Sequence, residues 1–534
     1  MSKNFKKHLD YLSLVSHQFT QTSASEKLQR FKAISSISLP NNEDFFTYHI
    51  ILLYTLTHPE NEEIYKLANY ELLRLAKHLQ KPKNANQPIF ADSGLPYTTM
   101  TTRFSQDAFN KLILNDQIEI RLESLGNPSF DLNAFLNITL PKIFKEETTA
   151  GLPNEDILKL FGVDPKRQVE FLINEINSDD STPLAKDFLW QSLQAFFTIQ
   201  GKHLGYSKSF NKLSNPSIYY QKDLYKKFDH QALLQKKINP PKKLTEFEKE
   251  EIINVIFYSM PLAMREIDPT TYMDTNSLRV FELERGLSVV LYGMRAERQL
   301  SMQSFVGFTL FKNGYPMSYG GSWIFGECAM FSLNIFEEFR GGESKFIMTQ
   351  ILRVYIQMFK ITYYEIEPYQ FNNDEAIATG AFWFYYHFGF RPKDENLQRL
   401  ALVESVKIQK NKSYRTSNKT LRTLGQSNLE ILLSKKMPVH RNKILAKILN
   451  MIAKQYKGSS NRAIIESIAE FREKANFNRA LNKDETQVLE EIALWVKAFA
   501  ITDKKKLSLL TKMIYAKGFD YISYNNYAIQ ILKK

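Results

Sequence analysis

Cysteine is almost missing from this sequence: Cys328 is the single one in 534 residues. One thiol excludes a disulfide framework and a thiolate zinc site, and it fits a reducing compartment. Long apolar runs are missing too. The most apolar early stretch, "HIILLYTL", falls far short of the ~20 residues that a membrane-spanning helix needs. The opening "MSKNFKKHLDYLSLVSHQF" starts basic but has no continuous apolar segment and no small-residue cleavage site, so it reads as an amphipathic helix. These absences predict a cytoplasmic protein with no membrane span. Acidic residues are the minority charge, 57 against 70 basic, for a formal charge of +13. That balance favours anionic partners such as nucleotide cofactors, nucleic acid or acidic membrane. The basic residues are spread along the chain, so an undedicated basic surface ranks above nucleic-acid binding.

What is present is globular material: 43% hydrophobic and 24% charged residues, with Phe and Tyr raising the aromatic share to 13%. The pattern predicts a helical N-terminal region over 1–85 and a mainly helical region over 86–240. In the latter, "TPLAKDFLWQSLQAFFTIQ" is the clearest segment. The stretch "LLQKKINPPKKLTEFEKE", with adjacent prolines and five lysines, reads as a linker. A mixed α/β region follows over 241–425. In it "SFVGFTLFKNGYPMSYGGSWIF" alternates like strands around Asn313-Gly314, a hairpin-turn signal. A helical C-terminal region closes the chain over 426–534. There is no repeat at a fixed period. The expected fold is therefore an α/β domain with a mixed, mainly antiparallel sheet, set between helical regions.

Chemistry is expected where the period changes. In "FSLNIFEEFRGGESKFIMTQILRVYIQMF" an apparent strand stops at Arg340, two glycines follow, and an amphipathic helix begins. Glycines there serve a sharp turn, or let phosphates approach the backbone at a helix N-terminus. "RGGESK" fits neither a P-loop nor the spaced glycines of a dinucleotide fingerprint.

The order of hairpin, strand, Arg/Gly turn, helix, strand, Asn-bearing loop and "YYHFGFRP" helix resembles the GNAT acyltransferase superfamily, over roughly 280–405. "LNIFEEFR" (333–340) follows that family's fourth-strand pattern L-x-V-x-P-x-x-R, with Ile335 at the Val position and Glu337 replacing Pro. "GAFWFYYHFGFRP" (380–392) follows its closing helix, with Tyr385 four residues before Gly389-Phe390. The family's pyrophosphate loop is R-x-x-G-x-G/A; here Glu343 and Lys345 fall on the small positions unless one residue is gapped, which places Gly342 and Ser344 there.

The resemblance implies an acyltransferase that moves an acyl group from acetyl-CoA or another acyl-CoA thioester, or from an acyl-carrier protein, to an amine by direct attack. It implies donor binding by Arg340 and by the backbone of Gly341, Gly342, Glu343 and Ser344, with Asn373 nearby. Asn334 and Ile335 would point an N–H at the thioester carbonyl, and Tyr385 would protonate the thiolate. Glu327, Glu365 and Glu367 are candidates to take the amine proton. Each has a plainer reading: Tyr385 as core aromatic, the glutamates as surface carboxylates, Cys328 and His387 as structural, Arg340 as a local ion-pair partner. Two rival functions stand beside the enzyme. One is a degenerate, non-catalytic GNAT-like scaffold module; the other is an aminoacyl-tRNA-dependent transferase, encouraged by the charge but lacking an identifiable basic groove. No metal site is expected. The basic segment 407–422 reads first as a solvated linker and second as an anion contact.

Overall fold

A computed structural model describes residues 2–127, 129–145, 152–178, 180–517 and 519–533. The chain divides into two compact units with interleaved segments: Met1–Leu224 with Thr245–Thr271 and Asn313–Pro316, and Tyr225–Leu244 with Tyr272–Lys312 and Met317–Lys534. One crossing between them, after Leu244, falls within "LLQKKINPPKKLTEFEKE" (233–250), the segment read as a linker.

The first unit opens with helices Ser2–Val15, Gln21–Ser35, Glu43–Thr57 and Glu62–Leu79. The last has an ordinary start: Asn61 accepts from the Ile64 N–H, Glu62 and Glu63 lie in the first turn, and Lys77 and His78 lie in the last. "HIILLYTL" belongs to Glu43–Thr57, which is buried on nearly every side and so is apolar all round. Three strands interrupt the helical region expected over 86–240: β1 (Thr99–Thr102), β2 (Ile118–Leu125) and β3 (Ala195–Gly201), in the order β1-β3-β2. The segment read as one helix ends at Leu193. Gln194 then turns left-handed (φ 47°), and "AFFTIQG" alternates with Ala195, Phe197 and Ile199 inward. Its aromatic and β-branched residues prefer that half-buried surface. Phe197 and Trp190 stack in the core.

The second unit is mixed α/β. Its sheet contains β4 (Met273–Glu282), β5 (Leu287–Met294), β6 (Ser304–Lys312), β7 (Tyr315–Phe325), β8 (Cys328–Ile335), β9 (Tyr363–Ile366), β10 (Arg391–Pro392) and β11 (Leu429–Leu432). The first two residues of β7 are counted with the first unit. The order is β10-β11-β9-β8-β7-β6-β5-β4. Asn313 and Gly314 both take positive φ, 49° and 83°, as a two-residue hairpin turn demands. Only the β8–β9 pair is parallel among the pairs whose register is described. Helix Ser344–Phe359 makes the crossover that a parallel pair requires. It packs on one sheet face, where Tyr355 meets Phe308 and Phe331 edge-on.

β11 lies beyond residue 425 yet sits between β9 and β10, so the sheet does not end at the expected boundary. The C-terminal helices are also continuous with it. Asn525, on Tyr521–Leu532, donates to the Gly326 and Phe359 carbonyls. Lys407–Arg422 is not a linker: it is the end of helix Glu395–Lys410, a short turn, and most of helix Asn418–Leu424. Among the described residues, no helix is long and apolar enough to cross a membrane.

Candidate functional site

Two parallel strands that separate leave backbone groups without a ladder partner. β8 and β9 pair only over Cys328–Tyr363, Ala329–Tyr364 and Met330–Glu365. β8 then runs on to Ile335 against β7 alone. The Phe336 N–H bonds the Met317 carbonyl on the β7 side. Strand alternation therefore aims the Asn334 N–H at β7 as well, and aims the Leu333 and Ile335 N–H groups into the gap. This corrects the expectation for Asn334. Its carbonyl, likewise turned to β7, accepts the Ser318 hydroxyl at 2.8 Å. The Ile335 carbonyl accepts from the Arg340 side chain.

The gap is closed by a residue with no place in the sequence reading. Gln370 ends the short turn Pro368–Gln370 after β9. Its Oε1 accepts both the Leu333 N–H and the Tyr385 O–H, each at 3.2 Å. Tyr385 is buried on helix Ala381–Phe388, with Phe371 and Phe390 edge-on to its ring. Burial, with a smaller contribution from Tyr369, raises its pKa far above the ordinary phenol range, so it stays a proton donor at neutral pH.

The carboxylates separate by position. Glu367 is exposed, follows β9 directly, and accepts the Gln370 N–H through its own carbonyl, so it lies at the gap end. Glu327 stands in the β7–β8 turn, six residues before Leu333. At about 3.3 Å per residue that is roughly 20 Å away along the strand, which removes it as a base working beside Tyr385. Glu365 is buried and accepts from Lys393 (2.9 Å) and Asn428 (2.8 Å). Burial opposes its charge, but these bonds outweigh that and leave its pKa lowered. Cys328 is also buried, and burial with Glu327 and Glu365 pushes its thiol up to about 12, so it is no nucleophile.

The loop before the crossover helix is built from inside. Gly342 sits at φ 89°, where a side chain is strained. Glu343 turns inward and is only 3% exposed. Its carboxylate takes the Tyr225 N–H at 2.9 Å and Lys312 Nζ at 2.8 Å, with Arg285 at 3.7 Å. Burial lowers the Lys312 pKa to about 8, Glu343 partly offsets this, and Arg285 adds to the lowering. The Glu343 side chain is thus a strut and not a donor ligand. Arg340 is exposed, donates to the Ile335 carbonyl at 3.1 Å, and pairs with Glu375 at 2.7 Å. Asn373 caps helix Asp374–Thr379 through the Ala376 N–H and donates to the Tyr369 carbonyl, which commits its amide to local structure. No side chain caps the N-terminus of Ser344–Phe359. The side chains of Arg340, Glu343 and Asn373 are thus engaged within the protein.

The structure brings Ile335, Tyr385 and Glu367 to one end of the sheet and sets Glu327 apart. Gln370, Lys312 and Arg285 carry no motif, and Leu333 holds the Leu position of "LNIFEEFR" without being read there as a donor. The only signal for Gln370 was its position in a turn directly after a strand. No family model matches this chain, and neither a curated protein nor a solved structure matches it significantly.

Proposed function

We propose that this protein transfers an acyl group from a coenzyme A thioester to an amine, as its resemblance to the GNAT superfamily implies. The observation that carries this reading is the gap between the parallel strands β8 and β9. There the Leu333 N–H meets the Tyr385 hydroxyl at a single carbonyl-type oxygen. A thioester carbonyl placed on that N–H gains the oriented donor an oxyanion needs. The amine nitrogen bonds to the carbonyl carbon, and the C–S bond breaks as the tetrahedral adduct collapses. The departing thiolate takes the Tyr385 proton, the amine proton leaves to Glu367 or water, and solvent restores the phenol.

The test is calorimetry with acetyl coenzyme A, followed by a free-thiol assay across a panel of amines. Tyr385→Phe removes one hydroxyl and keeps the buried ring. Its expected effect is a kcat loss of about 10² to 10⁴ with KM for the donor nearly unchanged. Unchanged kcat would return Tyr385 to the core.

A second reading, a non-catalytic scaffold module, is favoured by one observation. Arg340, the side chain a diphosphate would use, is paired with Glu375 instead. Absence of coenzyme A binding by the intact protein would select this reading.

A further inference from the structure

Gln370 does more than fill space. Its amide oxygen accepts two donors from separate elements, a strand N–H and a helix phenol, both at 3.2 Å. This is how a bound carbonyl is held: one sp² oxygen, a backbone donor on one side and a hydroxyl on the other. Both donors need an acceptor. Leu333 is 7% and Tyr385 3% exposed, and an unpaired buried donor is costly. Gln370 itself is half-buried and lies on a short turn, with only Glu367, Pro368 and Tyr369 between it and the end of β9. Its side chain is the one member of the trio that can swing out without moving a strand or a helix.

We infer that Gln370 is a built-in stand-in for the acyl donor's carbonyl. It satisfies the Leu333 and Tyr385 donors in the free protein and is displaced when the donor binds. This rests on the acyl-transfer reading above. It makes Gln370 a positioning residue that sets donor affinity: a ligand carbonyl must outcompete an amide already in place, whereas water, a weaker competitor, is kept off the Tyr385 hydroxyl.

The experiment is calorimetric titration of wild type, Gln370→Ala and Gln370→Glu with acetyl coenzyme A and with S-ethyl coenzyme A, which lacks the thioester carbonyl. Removing the amide is expected to tighten acetyl coenzyme A binding about tenfold, the scale of one to two neutral hydrogen bonds. Gln370→Glu presents a charged acceptor to the same donors and is expected to weaken binding by a similar factor. A gain confined to acetyl coenzyme A assigns the displaced position to the thioester carbonyl. A gain for both ligands assigns it to a pantetheine amide, and either result supports displacement. Binding by wild type with no gain in Gln370→Ala overturns the inference while leaving acyl transfer standing. Binding by none of the three proteins overturns the acyl-transfer reading and this inference with it.

Discussion

Lys312→Met tests how the loop before the crossover helix is held. Lys312 is 1% exposed, and its ammonium lies 2.8 Å from Glu343. Burial dominates, so its pKa falls from 10.5 to about 8 in the folded protein. The unfolded chain keeps that proton up to the ordinary lysine value. Between these limits the unfolded state binds the extra proton, so raising the pH stabilises the fold. The gap of roughly 2.5 units, at about 1.4 kcal/mol each, amounts to about 3 kcal/mol. Methionine keeps the chain length and apolar bulk but does not titrate. The stability of wild type minus that of Lys312→Met should therefore be level from neutral pH to about 8. It should rise by about 3 kcal/mol toward pH 10.5. Buried tyrosines and Cys328 titrate in the same alkaline range, but they are common to both proteins and cancel in the difference. Urea unfolding followed by tryptophan fluorescence reports on this unit, since Trp323, Trp383 and Trp495 lie within it and only Trp190 lies outside. A difference that stays level through pH 10, or falls, would refute the buried-lysine argument.

Two further substitutions separate the turn from the ligand. Gly342→Val should lower both the melting temperature and coenzyme A affinity, because φ 89° strains a β-branched residue by about 1–3 kcal/mol; Gly341→Ala, without that φ, should reduce affinity alone, and unchanged affinity would make the pair turn formers only. Charge reversal at Lys410 and Lys412, both exposed, should leave KM unchanged at low salt, where surface contacts are strongest. A tenfold rise would place the donor's adenosine phosphate on this segment.

How much of this could be read from residues alone depends on the range of the interaction. The hairpin at Asn313-Gly314 and the strand, turn and helix around Arg340 rest on local chemistry, and the structure contains them. Tyr385 was legible because Gly389 and Phe390 follow it at a fixed spacing. The strand Ala195–Gly201 was hidden because helix Pro183–Leu193 runs into it through Gln194, a left-handed residue that announces itself far less than glycine. The strut role of Glu343 was hidden for another reason. Its partners are 31 residues away at Lys312 and 118 away at Tyr225, distances that no periodicity encodes. Gln370 was illegible because a polar residue in "EPYQ" looks like any turn residue until the strands are known to part beside it.

That parting is what ties the fold to the chemistry. A parallel pair that stays zipped satisfies its own N–H groups and has nothing to offer a ligand. Here the ladder stops at Met330–Glu365 while β8 continues on its β7 side to Ile335. The strand is therefore held rigid by one neighbour and left with donors facing where the other neighbour should be. Such donors cannot remain empty in a site this buried, because each unpaired one costs about 1–3 kcal/mol. A fold of this kind must either admit solvent, enclose a ligand, or supply its own acceptor. Gln370 is that acceptor for Leu333, mounted on a short turn and not on another strand, as the proposed displacement requires. An acceptor meant only to stabilise the sheet would be better placed as a continuing β9, which would pair with Leu333 and Ile335 through its backbone. A single side-chain amide shared between a strand N–H and the Tyr385 phenol is the arrangement that the proposal above requires of a site kept ready for a carbonyl.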